Sequence, residues 1–411
     1  MSAGKKRLPP ETFELPIQKI RRGYHSAVYF WREKQILEWT GYRKNILMQV
    51  FQKKRAVLCG IDEALAVLKL CSGRYRDQEK AFKLFDRFVE TERLARQSYM
   101  NRHFSEWKVY LNETVQLEME LDALWENTFN ELTVSALFDG DKIMPWETVM
   151  TIEGLPQHFS HLESVYLGIL ARSTLVASNV ARVVEVANGK PVLFFADRFD
   201  RYNNQTSDGY AAMKAGAFGV ATDSMGEWWG NTGVGTLPHA LIACFMGDTA
   251  HATLAFARRY PQVNAISLVD FHNDCEKTAV EVADRFRAEG LVLWGVRLDT
   301  SENMVDQSII RHGQMGKVKP TGVNPMLVRN VRSALDQKGH GDVKIVVSGG
   351  FNAEKISWFE KEGAPVDVYA SGSSLLKGEG DFTADIVRVD GVLCGKVGRM
   401  YNPNVRLGRV A

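Results

Sequence analysis

The second half of the chain alternates short apolar runs with longer amphipathic stretches. Six apolar runs have the length of a strand: VLFFA at 192–196, GVAT at 219–222, AISLV at 265–269, LVLWGV at 291–296, VKIVV at 343–347 and VDVYA at 366–370. Helical spacing marks stretches between them, such as 275–289 and 352–363. Continuous apolar strands separated by helices are typical of a parallel sheet covered by helices. The repetition favours a (β/α) barrel, and an open doubly wound sheet is the alternative.

The first part of the chain has a mixed pattern. Alternating polar and apolar residues at 27–31 (AVYFW) and 46–51 (ILMQVF) predict two strands. The turn-rich stretch 138–154 predicts further short strands. An apolar-periodic helix is expected from about 163 to 186, because Asn188-Gly189 is a good helix-ending signal. This part of the chain is therefore predicted to be a mixed α/β domain.

Two aspartates are predicted to start helices in the first part of the chain. Asp62 can cap a helix that runs to Cys71, and Asp77 can cap a longer one. In the longer helix Phe82, Phe85 and Val89 share one face, which is the spacing of a stripe that packs on a core.

Charge and cysteine content narrow the class of protein. The 51 lysines and arginines nearly balance the 49 aspartates and glutamates, so the net charge of +2 does not support a nucleic-acid or membrane partner. The five cysteines include no CxxC pair, which indicates neither a disulfide framework nor a zinc site. No apolar segment follows the basic N-terminal residues, and no run approaches the ~18 apolar residues of a membrane span. We therefore expect a cytoplasmic protein.

Polar residues follow each predicted strand of the second half. They are Asp197 and Arg198, Asp223 and Ser224, Asp270, Arg297 and Asp299, Ser348-Gly349-Gly350, and Ser371-Gly372-Ser373. A single aspartate at such a place is as often a helix cap or a solvated charge. Polar residues after all six predicted strands are a stronger signal, because the carboxyl ends of barrel strands share one face. They predict one common pocket.

Two features of these strand ends indicate anion chemistry. The turns VVSGGFN at 346–352 and YASGSSLL at 369–376 place glycine backbone and hydroxyl groups at helix starts, which suits a phosphate. Arg297 and Asp299 are two residues apart and point the same way on a strand. The pair can hold an anion and a hydroxyl group, and a structural salt bridge is the alternative.

One histidine has a distinctive setting. The run GVGTLPHALIA at 233–243 places His239 behind a glycine-flanked turn and at the entry of an apolar helix. Small residues such as Gly235 and Thr236 let a ligand approach the backbone, and Pro238 suits the first helical turn. His239 is therefore a candidate for chemistry, and a helix-start histidine that bonds its own loop is the alternative.

These motifs, in order, resemble the nicotinate phosphoribosyltransferases. The resemblance rests on ESVYLGILARSTLVASNVARVV at 163–184, GTLPHAL at 235–241, SLVDFHND at 267–274, GVRLDTS at 295–301 and the two Ser-Gly turns. It covers about residues 150–400 and includes DGDKIMPWETVMTIEG and the tail ADIVRVDGVLCGKVGR. The ordered set is specific, whereas no single motif would be.

The resemblance implies a fold and an assembly. The expected fold is an incomplete (β/α) barrel at 156–384 with an N-terminal α/β sandwich domain, residues 1–155, that the C-terminal tail 385–411 completes. A homodimer with shared active sites is expected. The implied reaction joins nicotinate to 5-phosphoribosyl 1-pyrophosphate, giving nicotinate mononucleotide and pyrophosphate, and is coupled to ATP hydrolysis through a phosphohistidine, with Mg²⁺ as cofactor.

The resemblance also implies roles for single residues. His239 matches the phosphorylated histidine, Arg297 and Asp299 match the pair that engages ribose and pyrophosphate, and Asp270 matches the acidic position near the metal. The Mg²⁺ ligands would be Asp270 and Asp299. The residues expected to bind substrate are Tyr29 (donated by the other subunit), Phe195, Arg198, Arg201, Asp223, Ser224, Thr236, Ser348, Gly349, Gly350, Ser371, Gly372 and Ser373.

The base pocket departs from the family pattern and leaves alternatives open. Arginines stand at both 198 and 201, and the stretch 221–230 aligns poorly. Asp223 could accept from an amide, which would suit nicotinamide, and Arg201 could pair the second carboxylate of quinolinate. A barrel that only binds a phosphosugar is a further alternative, although it would not need His239.

Overall fold

The computed structural model describes residues 6–316 and 319–410. Its backbone forms two compact units: unit 1 is Met1–Thr174 with Glu379–Ala411, and unit 2 is Leu175–Gly378. The predicted limits are 155/156 and 384/385. The observed division at 174/175 falls inside the long helix that begins at Glu163.

Among the described residues, the N-terminal part of unit 1 contains five complete α-helices and seven strands, and a sixth α-helix begins in it and continues into unit 2. In order they are α1 (Ile17–Arg21), α2 (Val28–Trp39), β1 (Ile46–Gln52), β2 (Ala56–Val57), α3 (Ile61–Cys71), β3 (Gly73–Tyr75), α4 (Gln78–Met100), α5 (Phe104–Leu124), β4 (Trp125–Asn127), β5 (Thr133–Ala136), β6 (Lys142–Ile143), β7 (Thr148–Gly154) and α6 (Glu163–Val186). The predicted strand at 46–51 and helix at 163–186 are confirmed.

Unit 2 alternates strands and helices. Its elements are β8 (Val192–Phe194), α7 (Gln205–Lys214), β9 (Gly219–Val220), α8 (Asp223–Gly226), α9 (His239–Cys244), α10 (Thr249–Arg259), β10 (Ile266–Leu268), α11 (Cys275–Ala288), β11 (Gly295–Leu298), α12 (Gln307–Arg311), α13 (Pro325–Gln337), β12 (Lys344–Val347), α14 (Ala353–Lys361) and β13 (Val368–Ser371). The chain then returns to unit 1 with β14 (Phe382–Val389), β15 (Val392–Leu393) and β16 (Gly408–Arg409).

The sheet of unit 1 is built from both ends of the chain. Its order is β15-β14-β1-β7-β5-β16, and its neighbouring strands are antiparallel. The central strand β1 is buried along its whole length and pairs with β14 from Ile46↔Val389 to Gln52↔Phe382. The C-terminal tail therefore completes this unit, as predicted.

Two local predictions in unit 1 are wrong. Residues 28–31 begin helix α2 and are not a strand; five alternating residues are too few to fix the period, and Lys34 is the one buried residue of the described helix. Asp62 does not cap α3: Asp139 accepts from the amide of Ile61 at 2.8 Å, and Asp62 pairs with Arg7 at 2.9 Å. The other predicted cap is confirmed, since Asp77 accepts from the amide of Lys80.

The sheet of unit 2 is a barrel with one opening. Its order is β10-β11-β12-β13-β8-β9, and each neighbouring pair is parallel. The first strand β8 thus pairs with the last strand β13, as in a closed barrel, whereas β9 and β10 are the two edges. An incomplete (β/α) barrel is confirmed, and the open doubly wound sheet is excluded by this order. The predicted strand at 291–296 begins later, at Gly295.

Helix α6 is the most apolar long helix of the described chain. By length and composition alone the segment Ser160–Val186 could cross a membrane. Leu162, just before the helix, and Tyr166 and Leu170 within it are fully buried in the core of unit 1, which accounts for part of this apolar character.

Candidate active site

A cavity of about 540 Å³ lies at the carboxyl ends of the barrel strands of unit 2. Twelve of the predicted site residues line it: Phe195, Arg198, Thr236, His239, Arg297, Asp299, Ser348, Gly349, Gly350, Ser371, Gly372 and Ser373. These residues come from the ends of β8, β11, β12 and β13 and from the segment between the edge strands β9 and β10. The barrel therefore brings together residues that are far apart in sequence.

Arg297 is the centre of a hydrogen-bond network in this cavity. Its guanidinium donates to Ser348 Oγ at 2.8 Å, to Thr236 Oγ1 at 3.1 Å and to Asp299 Oδ2 at 3.1 Å. Ser348 Oγ in turn donates to Asp299 Oδ1 at 2.6 Å. These bonds fix the guanidinium over the ring of Phe195, with its carbon 5.7 Å from the ring centre. Only three of the five N–H groups of an arginine are used in this network, so two are left for an anion.

His239 is paired with a buried carboxylate. It is the first residue of α9, after Pro238, and its Nε2 lies 3.0 Å from both oxygens of Asp270. The histidine side chain is 45% exposed and the aspartate 8%. An ionised carboxylate only accepts, so a hydrogen bond to it requires a proton on Nε2, and in the neutral ring this tautomer leaves the lone pair on Nδ1.

Burial raises the pKa of Asp270 above its usual range, and the nearby charge of Asp299 adds to this rise. The contact with His239 opposes it. The two carboxylates are therefore close enough to interact, although Asp270 does not line the cavity itself. No group of three or more potential metal-binding side chains is found among residues 6–316 and 319–410.

The two Ser-Gly turns lie side by side at the cavity wall. Gly349 and Gly350 have φ of 88° and 69°, which glycine adopts with little strain. A Cβ at Gly372 would lie 2.7 Å from the ring of Phe199, so glycine is needed there for space. The amides of Gly349, Gly350, Gly372 and Ser373 donate to no acceptor within the described parts of the chain.

Other predicted residues have different surroundings. Asp223 Oδ1 accepts from the amide of Gly233 at 2.8 Å, and Ser224 Oγ bonds Thr206 Oγ1 at 2.9 Å. Asp223 therefore holds the loop that leads to the histidine segment, residues 233–243, and Ser224 is bonded to helix α7. Arg201 is exposed and does not line the cavity. Tyr29 belongs to unit 1, where it is 66% exposed on α2.

Sequence reasoning missed several lining residues. Phe199 lines the cavity with 48% of its surface exposed, and the guanidinium carbon of Arg198 lies 5.6 Å from its ring centre. Phe351 also lines it, as does Asp197, which was predicted among the strand-end residues of the pocket. The positions of Phe199 and Phe351 shortly after β8 and β12 are the signal that could have identified them.

Curated proteins similar in sequence to this chain include nicotinate phosphoribosyltransferases of two bacteria. A nicotinate phosphoribosyltransferase of Mycobacterium tuberculosis is 29% identical over 266 residues, which are 62% of this chain and 53% of the relative. The enzyme of the same name from Bacillus subtilis is 23% identical over 242 residues, 58% of this chain and 44% of the relative. The resemblance to nicotinate phosphoribosyltransferases is confirmed. The chain spans about half the length of these curated relatives, and no protein-family model matches it.

Solved structures agree with the fold. The nicotinate-nucleotide pyrophosphorylase of Pyrococcus furiosus superposes with a TM-score of 0.69 at 27% identity, covering 97% of this chain and 85% of that one. Human nicotinic acid phosphoribosyltransferase superposes with a TM-score of 0.62 at 17% identity, covering 90% of this chain and 75% of that one, and supports the fold alone.

Proposed function

We propose that this chain is a nicotinate phosphoribosyltransferase of NAD biosynthesis. It joins nicotinate to 5-phosphoribosyl 1-pyrophosphate, releases pyrophosphate, and couples the reaction to ATP hydrolysis. The observation that carries the proposal is the convergence in one cavity of the Arg297–Asp299 pair, the two glycine turns and His239, whose ring contacts Asp270. The names of the sequence relatives support the transfer of phosphoribose to nicotinate.

The phosphosugar binds at the wall formed by β11, β12 and β13. The four amides of the glycine turns bind the 5-phosphate, since uncommitted N–H groups at a strand end suit a phosphate. Arg297 donates its two remaining N–H groups to the pyrophosphate, and Asp299 accepts from the ribose hydroxyls. Displacement at C1 builds positive charge on the ribose, and a fixed carboxylate stabilises that charge. The network of Ser348 and Thr236 keeps Arg297 in place, so little reorganisation is needed.

The carboxylate of Asp299 at the cavity wall and that of Asp270, which contacts the cavity residue His239, fit a magnesium ion. Mg²⁺ is usually held by one or two carboxylates together with waters and substrate phosphates. Asp299 and Asp270 are such a pair, and each oxygen has a second lone pair beyond the bonds described. When bound there, the ion would neutralise charge on the pyrophosphate.

His239 takes the γ-phosphoryl group of ATP: an N–P bond forms, the P–O bond to ADP breaks and ADP leaves, and water later cleaves the N–P bond to release phosphate. Asp270 holds the Nε2 proton and so leaves Nδ1 as the nucleophile, and it stabilises the positive charge that the ring gains on transfer. The exposed setting of the ring admits a nucleotide phosphate.

The base lies beside β8. Arg198 pairs with the carboxylate of nicotinate, and the aromatic rings of Phe195 and Phe199 offer a face to the pyridine. The engagement of Asp223 with Gly233 argues against its use as the acceptor for an amide substrate. Arg201 is the candidate for a quinolinate carboxylate, and its place outside the cavity wall disfavours that base.

The active enzyme is a cytoplasmic homodimer with shared sites. On α2, Tyr29, Arg32, Ile36 and Trp39 follow one another at helical spacing, and Ile36 and Trp39 are 57% and 87% exposed. This exposed helix face, apolar except for Arg32, suits contact with a second copy, in which Tyr29 would reach the base of the partner's site.

Pyrophosphate release in the presence of phosphoribosyl pyrophosphate, Mg²⁺ and ATP tests the proposal. Nicotinate should support release by the wild type, whereas nicotinamide and quinolinate should support little. Arg198→Ala should raise KM for nicotinate by about tenfold or more, because a charge-assisted pair is lost, and leave KM for the phosphosugar nearly unchanged. Arg201→Ala is the matched control with a small effect. Release with none of the three bases would refute the proposal.

A further inference from the structure

Two carbonyl groups of the first glycine turn, those of Gly349 and Phe351, are held by three side chains. Lys355 Nζ donates to the carbonyl of Gly349 at 2.8 Å. Ser371 Oγ and Ser374 Oγ both donate to the carbonyl of Phe351, at 2.7 and 2.8 Å. We propose that Lys355 is the main positioning residue of a phosphate cradle formed by these turns, with Ser371 and Ser374 as its partners. The inference rests on the proposed function and extends it to Lys355 and Ser374, which are not among the residues that line the cavity.

In these turns two backbone carbonyls accept hydrogen bonds from side chains, whereas four amides donate to no described part of the protein. The amides of Gly349, Gly350, Gly372 and Ser373 find no acceptor in the parts of the chain that the structure describes. A carbonyl turned toward a phosphate would repel it, because both carry negative charge on oxygen. Engaging the carbonyls of residues 349 and 351 therefore leaves the donor face of the turns for the ligand.

Phe351 links the two turns. Its carbonyl accepts from the second turn through Ser371 and Ser374, while its ring is 1% exposed and lies under the ammonium of Lys355, 4.3 Å from the ring centre. A displacement of one turn would therefore be transmitted to the other. The two turns act as one cradle.

Burial disfavours the charged form of Lys355. Its hydrogen bond to the Gly349 carbonyl therefore argues for a role of this ammonium in the turn. Burial lowers the pKa of Lys355 to about 8, Glu302 and Asp299 oppose this, and Lys319 adds to it. The side chain of Glu302 lies across Gly350, where a Cβ would collide with its carboxylate. Lys355 thus also balances the nearest negative charges, which would otherwise weaken the binding of a phosphate.

In this cradle the role of Ser371 is to hold the carbonyl of Phe351, and not to contact the ligand directly. Its hydroxyl bonds Phe351 and Ser374, and the hydroxyl of Ser348 bonds Arg297 and Asp299. The backbone amides, rather than these hydroxyls, are the groups left for the phosphate.

Calorimetric titration with ribose 5-phosphate tests the inference. Lys355→Met keeps the stem that covers Phe351 and removes the donor, so Kd for ribose 5-phosphate should rise by about tenfold or more. Lys355→Arg should restore binding to within about threefold of the wild type, since it keeps a charged donor. Lys361→Met, an exposed lysine at the end of the same helix, is the matched control and should bind as the wild type does. In turnover, Lys355→Met should raise KM for the phosphosugar and leave KM for nicotinate unchanged.

Wild-type affinity in Lys355→Met would overturn the inference, as would a loss in Lys361→Met of equal size. Should Lys355→Met not fold, Lys355→Gln gives the same comparison. A wild type that binds ribose 5-phosphate but makes no mononucleotide would refute the proposed function and leave the cradle standing. A wild type that does not bind ribose 5-phosphate would overturn both.

Discussion

At the scale of single residues, the cavity is organised by side chains that hold one another. Arg297 is fixed by Ser348, Thr236 and Asp299. The spacing of Arg297 and Asp299 was enough to predict that they meet, because residues two apart on a strand share a side. The sequence could not show that Asp223 is bonded to Gly233, since that contact depends on how a loop folds back.

The variant His239→Ala distinguishes phosphoryl transfer from ATP and phosphoribosyl transfer to nicotinate. The variant should lose ATP hydrolysis by at least about a thousandfold, because no nucleophile remains, while slow transfer persists at high substrate concentration since the barrel still orients both reactants. His312→Ala, at an exposed histidine that bonds Glu276, is the control. Full ATP-coupled turnover in His239→Ala would mean that the histidine is only structural.

Glu163 makes stability depend on pH. Burial, with the charges of Glu33 and Asp385, raises the pKa of Glu163 to about 8. Between the unfolded pKa and this value the folded state holds a proton that the unfolded state has lost, so stability falls as pH rises through this window. Glu163→Gln removes the ionisation and should be more stable than the wild type at pH 8 by on the order of 1 kcal/mol, with little difference at pH 5.

Thermal unfolding at both pH values measures this effect. Glu185→Gln, at an exposed glutamate of the same helix, should leave the pH dependence unchanged. Equal stability of Glu163→Gln and wild type at pH 8 would contradict the argument.

At the scale of elements, the sequence predicted long or strongly periodic segments better than short ones. The helices at 163–186 and 275–289 and the strand at 343–347 are found nearly where their patterns indicate. The five residues 27–31 alternate by chance within a helix, and the apolar run 291–296 begins before its strand because apolar residues also approach a sheet through a loop.

The tail strand β14 is the element on which unit 1 depends most. It covers the full length of the buried strand β1. A variant ending at Gly378 lacks it and should leave unit 1 unfolded or aggregated, since β1 would have an open apolar edge. A variant ending at Val389 keeps the strand and should fold with a lowered Tm, because Gln49 and Thr148 lose their bonds to residues 400–402. Circular dichroism and limited proteolysis measure both. An unchanged Tm in the shorter variant would show that the tail is dispensable.

At the scale of the whole molecule, the order of strands carries the fold. The pairing of β8 with β13 and the opening between β9 and β10 define an incomplete barrel, and the histidine segment lies in the chain between those two edges. Repeating strand and helix patterns were enough to predict a barrel. Neither the opening nor the division at Thr174 could be derived from periodicity, because both depend on which strands pair.

Shared active sites can be tested by complementation. Tyr29→Ala and Arg297→Ala should each be strongly impaired alone. When subunits exchange, a mixed dimer has one site with both defects and one with neither. Random pairing makes about half the dimers mixed, so about a quarter of wild-type activity should return. If activity does not return although exchange is confirmed, both residues serve the same chain's site.

The product of the reaction tests the central claim most directly. Wild-type protein is incubated with ring-labelled nicotinate, phosphoribosyl pyrophosphate, Mg²⁺ and ATP, and the nucleotide formed is identified by mass spectrometry. We predict nicotinate mononucleotide that carries the label and retains the carboxylate, formed together with pyrophosphate and lost in Arg297→Ala. If the wild type forms no labelled mononucleotide while it is folded and binds the phosphosugar, the cavity does not perform this reaction and the account is contradicted.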